Sequence, residues 1–395
     1  MKHNWSYSTI GVELKTSSGG TPNKMHKEFY EGGNIPWLRS GEVCKKNITE
    51  TEMFITQKGM DNSSAKWFPE NTVLVAMYGA TAGQVGILRF PSTTNQAICG
   101  IFPNDKFLPE FLYYTLLYSK DTLVSQAVGN AQPNISQIKV KEVPLPKISI
   151  EEQQKIVEFL DKEFEKIDTL KANAEKGLQQ AKDLLEQYRN NVYDNTVFCP
   201  LESTVTVING YAFNSEDFNQ TNTVKVVKIT NVGVGVFVET NENKLSTKHL
   251  TDNSEYIIHT GDIVFALTRT IISDGLKVAI VPEGYNNSLL NQRVASLRIN
   301  DEIQCKYLYN YFQTSKVRQY VLSKVNTLMQ PNLSIKDLKA MPIPCCDKNE
   351  MKQIVSRLDK LNEHCNALQK NYEKTIALCD DMKQALLRKA FNGEL

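Results

Sequence analysis

Two stretches of the chain place apolar or small residues three and four positions apart, with charged residues between them. In the first these are Leu160, Phe164, Ile167, Ala174, Leu178, Ala181, Leu185, Tyr188 and Val192. In the second they are Leu358, Leu361, Cys365, Leu368, Tyr372, Ile376, Cys379, Met382 and Leu386. Such spacing lines one face of a helix with a narrow apolar seam. Neither stretch is interrupted by proline: none lies between Pro146 and Pro200, and none follows Pro344. Each opens on a helix-start signature, Ser149-x-x-Glu152 and Asp347-x-x-Glu350, in which a short side chain caps the first turn. A helix of about 45 residues is about 68 Å long, too long to bury its seam within a small domain. The pattern therefore predicts that the two helices pair with each other, antiparallel, with a globular domain at either end. The competing arrangement breaks each helix and folds it back, with Gly177 as the break point.

The rest of the chain is patterned differently. Short apolar runs flanked by turn residues, TVLVAM at 72–77 and DIVFAL at 262–267, predict strands. Residues 107–128 and 303–325 show helical spacing rich in aromatics. Clusters of Gly, Asn, Ser and Thr between them predict loops.

These parts occur twice. Ala131-Gln132-Pro133-Asn134-Ile135-Ser136 returns as Met329-Gln330-Pro331-Asn332-Leu333-Ser334, an offset of 198. The same offset carries Pro144-Leu145-Pro146 onto Pro342-Ile343-Pro344 and Leu160-Asp161-Lys162 onto Leu358-Asp359-Lys360. Slightly upstream, an offset of 196 carries Asn95-Gln96 onto Asn291-Gln292 and Phe111-Leu112-Tyr113 onto Tyr307-Leu308-Tyr309. A period of half the chain excludes a solenoid, whose repeats are much shorter, and predicts two domains with two connectors.

Composition narrows the function classes. The 395 residues are 41% hydrophobic and 23% charged, ordinary for a soluble globular protein. No apolar run suits a membrane span, and the N-terminus lacks a secretion signal, so a cytoplasmic location is expected. Eight cysteines without a CxxC pair argue against a zinc ribbon and a disulfide framework, and predict reduced thiols. Net charge is +1, so whole-chain electrostatics give no sign of nucleic-acid binding. Residues 1–149 carry 15 basic and 12 acidic side chains, whereas 150–195 carry 7 and 11. The first long helix is thus an acidic face, suited to protein rather than phosphate. Catalytic signatures are missing: no GxxxxGK[ST], HExxH or GxSxG occurs. Gly233-Val234-Gly235 lacks the third glycine of a dinucleotide loop and reads as a turn. The five histidines show no metal-ligand spacing, and His364-Cys365 sits on the helix seam as packing. The expectation is a non-catalytic binding protein with no metal and no cofactor of its own.

Against this layout stand specific strings: GGTPNKMHKEFYEGGNIPWLRSGEV at 19–43, Asn209-Gly210-Tyr211-Ala212-Phe213, Lys228-Ile229-Thr230-Asn231, the two Pro-Asn-Ile/Leu-Ser and Pro-Leu/Ile-Pro motifs, and the closing Ala390-Phe391-Asn392-Gly393-Glu394-Leu395. Together, in their duplicated order over the whole chain, they resemble the specificity subunit of type I restriction–modification systems. One departure is Asp194-Asn195-Thr196, which stands where the second copy has Asn392-Gly393-Glu394. The resemblance implies an α+β fold: two similar target recognition domains, 1–147 and 198–345, and two spacer helices, 148–197 and 346–395, forming an antiparallel coiled coil. It also implies that each recognition domain reads one half of a bipartite, asymmetric site in double-stranded DNA. Two modification (methyltransferase) subunits that use S-adenosylmethionine would dock around the helices. Restriction subunits, the ATP- and Mg-dependent endonuclease and translocase, would join them.

Base readout needs amide and guanidinium side chains on loops. Candidates occur at matching places in both copies. Thr21, Arg39 and Ser40 are answered by Tyr211, Lys228, Thr230 and Asn231. Tyr78, Thr81 and Gln84 are answered by Thr268, Arg269 and Thr270 after the central strand. Asn95 and Gln96 are answered by Asn291 and Gln292, with Arg293 beside them. Gln132 and Asn134 are answered by Gln330 and Asn332. Arg89 and Arg298, in alternating strand patterns, read as surface or packing residues. Two rivals remain: a specificity subunit serving a fused type II methyltransferase-nuclease, and a coiled-coil scaffold that binds no DNA.

Overall fold

The computed structural model describes residues 5–125, 134–194, 196–272, 275–324 and 332–395. The chain divides into two compact units. One joins Met1–Ala174 to Lys374–Leu395, and the other is Glu175–Glu373. Two long helices, Ile150–Asn191 and Lys348–Phe391, contribute to both.

In the first unit the central strand Val73–Ala76 is buried at every residue, as expected of a strand covered on both faces. It lies within a five-stranded sheet in the order Thr16–Ser18, Ile98–Ile101, Val73–Ala76, Val85–Leu88, Asn47–Ile48. A second sheet has the order Phe54–Ile55, Ile35–Leu38, Ser92–Thr94, Trp67–Phe68. The segment Asn95–Ala97 passes from the second sheet to the first. Helices Pro109–Tyr118 and Lys120–Ser125 cover the first sheet. The apolar run at 107–128 thus forms two helices, divided at Ser119, and residues 126–128 lie outside the described residues.

The second unit repeats this plan. Its central sheet runs Thr206–Asn209, Val294–Arg298, Ile263–Ala266, Val278–Ile280, and a smaller sheet runs Val226–Val227, Ser288–Leu290, Ile257–Ile258. Helices Glu302–Phe312 and Ser315–Lys324 part at Thr314, whose hydroxyl bonds the Tyr311 carbonyl at 2.7 Å. In each unit the first and last strands pair antiparallel, Ser6 opposite Lys147 and Val197 opposite Cys345.

The helix starts behave as their side chains dictate. The Ser149 hydroxyl accepts from the Glu152 amide and the Glu152 carboxylate accepts from the Ser149 amide, both at 3.2 Å. Asp347 accepts from the amides of Asn349 and Glu350. Behind the first cap, buried Gln153 bonds the Leu108 amide and the Lys106 carbonyl, tying helix to domain.

Helix pairing is antiparallel within each unit. In the first, Lys171 meets Asp380 at 2.7 Å and Asp168 meets Lys383, so one number rises as the other falls. In the second, Gly177 faces Tyr372. The helix does not break at Gly177: an ideal Cβ there would lie 2.4 Å from Tyr372 Cζ, so the missing side chain makes room for a tyrosine. The seam departs from expectation at Leu368 and Met382, which are 43% and 47% exposed, while Leu387 and Ala390 are buried instead.

Each unit is closed by an aromatic plug from the end of a long helix. Phe391 packs on Phe111 and Tyr118, with ring centroids 5.7 and 5.2 Å away. Tyr193, at the matching position of the second unit, packs on Tyr307 and Tyr311 at 5.2 Å each and donates to the Tyr307 carbonyl at 3.0 Å. One cysteine pair departs from the expectation of reduced thiols: Cys199 and Cys345 are joined by a disulfide across the terminal strand pair, with Cα atoms 6.3 Å apart. A separation of 146 residues hid that pairing from the sequence.

Candidate nucleic-acid interface

In the first unit, four loops meet where the central strand ends. The passage Asn95–Ala97 is the hub. The Asn95 amide bonds the Leu38 carbonyl at 2.9 Å, which brings in Arg39. Gly20 bonds the Thr94 carbonyl, and the Thr21 hydroxyl contacts Gln96 Oε1. The Ala97 carbonyl accepts from Met77 at 2.7 Å. The Met77 carbonyl accepts from Ile135, and Tyr78 bridges to Asn134. Gly19 is required here, since a Cβ would fall 2.2 Å from the Thr94 carbonyl oxygen.

The second unit builds the same hub from Asn291–Arg293. Asn291 bonds the Val227 carbonyl at 3.0 Å, which brings in Lys228. Tyr211 and Gln292 are linked at 3.0 Å, and the Arg293 carbonyl accepts from Leu267 at 2.9 Å. Leu333 bonds the Leu267 carbonyl, and Thr268 bridges to Asn332. Gly210 approaches the Asn291 carbonyl as Gly19 approaches Thr94, with 2.0 Å left for a Cβ. The repeated Asn-Gln pairs, together with Asn134 and Asn332, therefore hold a shared backbone frame.

Both basic turns are latched by a side chain three residues on. The Arg39 amide donates to Glu42 Oε1 at 2.9 Å, and the Lys228 amide donates to Asn231 Oδ1 at 2.8 Å. Each basic side chain has an acidic partner. Arg39 pairs with Glu52 at 2.7 Å and Glu42 at 3.6 Å. Lys228 pairs with Glu242 at 2.6 Å and lies 4.4 Å from the Phe218 ring. The hydrogen bond from Lys228 holds the Glu242 carboxyl below its ordinary value, helped by charge attraction and by Thr230. Glu42, Glu52 and Glu242 carry no motif in the sequence, because charge partners distant along the chain leave no local signal.

Among the other candidates, Tyr78 and Tyr211 are exposed, as are Gln96, Asn134, Gln292, Arg293 and Asn332. Thr21, Ser40, Thr81, Gln84, Asn95, Asn291 and Thr268 are partly exposed around the same hubs. The Thr230 hydroxyl donates to Glu242 at 3.1 Å. Gln132 and Gln330 lie outside the described residues. Two candidates are corrected. Asn231 is fully buried, its amide spent on the Val238 carbonyl and the Thr240 hydroxyl, so it latches the turn and cannot reach a base. Thr270 is also fully buried and its hydroxyl has no partner among the described residues.

Arg89 and Arg298 are structural, as their strand positions suggest. Arg89 bonds Asn47, Asn71 and Glu110. Arg298 pairs with Asp262 at 3.0 Å. Sequence reading missed Lys277, whose Nζ bonds the Ile229 carbonyl at 2.8 Å; burial and then Arg269 push its pKa down. Among the described residues, no group of three or more His, Cys, Asp or Glu could hold a metal. No described helix is long and apolar enough to cross a membrane.

Two hubs on one backbone plan match the family comparison. The model of the type I restriction modification DNA specificity domain matches residues 3–180 and again 194–378. The chain belongs to the type I restriction modification DNA specificity domain family. Among curated relatives of this family, the MjaVIII specificity subunit of Methanocaldococcus jannaschii is 25% identical over 388 residues, 94% of this chain and 89% of that one. The EcoR124I/EcoR124II specificity subunit of Escherichia coli is 28% identical over 206 residues, 51% of this chain. That match spans half the length of the Escherichia coli subunit. A chain solved in work on complex assembly and conformational transition of the type I R-M system shares the fold. Its TM-score is 0.79 at 17% identity, covering 99% of this chain and 98% of that one.

Proposed function

We propose that this chain is the DNA sequence-recognition subunit of a type I restriction–modification complex, and that it performs no chemistry itself. The observation that carries the reading is the duplicated hub: one backbone frame, built twice, presenting different side chains at corresponding exposed places. A frame that is constant while its side chains vary suits two readers of unlike half-sites on double-stranded DNA. Recognition domains at 1–147 and 198–345 would each read one half. The long helices, at 148–197 and 346–395, would set the spacer length and dock two modification subunits. Those subunits bring S-adenosylmethionine for adenine methylation, and restriction subunits bring ATP and Mg for cleavage. All would assemble in the cytoplasm.

The near-neutral net charge and the Glu partners of Arg39 and Lys228 keep nonspecific phosphate attraction low. Much of that attraction falls to the partner subunits. The reading is tested by mapping methylated adenines genome-wide in cells with and without this chain, alongside its modification subunits. It predicts one bipartite asymmetric motif that vanishes with the chain. Methylation that is unaltered, or a purified chain that methylates or cuts DNA unaided, would contradict it.

A further inference from the structure

The two hubs differ at two corresponding backbone positions. The first follows the residue that bridges to the Pro-Asn motif. Tyr78 bridges to Asn134 and Thr268 to Asn332, so Gly79 and Arg269 correspond. Both are left-handed, with φ of 76° and 49°. Gly79 adopts that conformation freely, whereas a side chain there is strained. The second position is the hub residue whose carbonyl receives the amide two residues before: Ala97 accepts from Met77, and Arg293 accepts from Leu267. The first domain thus has glycine and alanine where the second has two arginines.

The two arginines share one place. Arg293 is bonded through its carbonyl to Leu267, two residues before Arg269. Both are exposed, and Arg293 makes no ion pair among the described residues, unlike Arg39 and Lys228 with their carboxylates. Lys277, bonded to the Ile229 carbonyl, makes no ion pair among the described residues and lies close enough to Arg269 to feel its charge. A strained backbone carrying a long cation that a glycine would relieve is a stability cost, and such costs persist where the side chain is used.

We infer that Arg269 and Arg293 form the guanine-reading element of the second recognition domain, each placing its guanidinium on the O6 and N7 edge of a guanine in the major groove. The first domain, with Gly79 and Ala97 in their places, has no such element, and its half-site carries no matching guanine requirement there. This inference rests on the DNA-recognition reading above and deepens it.

The test uses the full chain assembled with its modification subunits and the variants Arg269→Gly, Arg269→Lys and Arg293→Ala. Methylation and binding are measured on the cognate site and on sites changed one base pair at a time. Each glycine or alanine variant is expected to relax one position of the second half-site, with discrimination there falling roughly 5- to 150-fold. The first half-site stays as selective as before. Arg269→Lys loses part of the discrimination, because the ammonium lacks the rigid planar fork that matches both acceptors.

Weakening that is uniform across all sequences would place both arginines on phosphate and overturn the inference. So would an unchanged motif. If the unsubstituted assembly shows no sequence preference at all, it is the functional reading that fails, so the two failures are separable.

Discussion

Tyr193 and Phe391 occupy matching positions and plug matching aromatic pockets. Truncating either opens a cavity in a packed core, so Tyr193→Ala or Phe391→Ala is expected to cost about 3–5 kcal/mol. Denaturant melts with a probe in each unit should find the loss in the unit that holds the plug; equal loss in both would contradict the division. At the hub, Asn231 and Thr270 are of a type that reads bases, but both are buried. Residue type is visible in a sequence, and burial of a single loop position is not. The Lys228–Glu242 pair gives a signed pH dependence. Glu242 titrates below its ordinary value in the fold. Its contribution is therefore complete above about pH 5 and is lost as pH falls through the lowered value. Acid titration followed by NMR should show the Glu242 carboxyl protonating below an unstructured glutamate. Glu242→Gln should flatten the stability profile over the same window, and an ordinary or raised value would contradict the pairing.

Elements were largely legible because their signals are local. Both helix N-caps form, the first as a full capping box, and both central strands lie where their apolar runs fall. The antiparallel helix seam follows the three-four spacing through Leu160, Phe164, Ala174, Ala181 and Leu185. The misses have physical causes. Gly177 carries a helix through, since Tyr372 fills the space that a side chain would take. Leu368 and Met382 are apolar yet exposed, while Leu387 and Ala390, near the end of the second helix, are buried in the core of the first unit. The Cys199–Cys345 disulfide joins residues far apart along the chain. The two glycines that shape the hubs supply the prediction at this scale. Gly19→Ala and Gly210→Ala each set a Cβ against a carbonyl that cannot move without breaking the hub. Each is expected to destabilise its own unit by roughly 1–3 kcal/mol and to erase recognition of one half-site while the other stays readable. Methylation of singly altered sites would show this, and loss of both halves together would contradict it.

The whole chain is a duplicated frame with helices continuous over 42 and 44 residues. If those helices set the spacer, adding one heptad to each, after Gly177 and Thr375, should lengthen the unspecified gap in the methylated motif by a fixed number of base pairs. An unchanged gap would remove the helices from that role. The central claim is that two copies of one frame read two unlike half-sites. The most direct measurement is the methylated motif of a chimera in which residues 198–345 are replaced by a second copy of 1–147, with melting used to confirm folding. The account predicts a motif whose second half becomes the inverted repeat of the first. A folded chimera that still selects the original second half would contradict it.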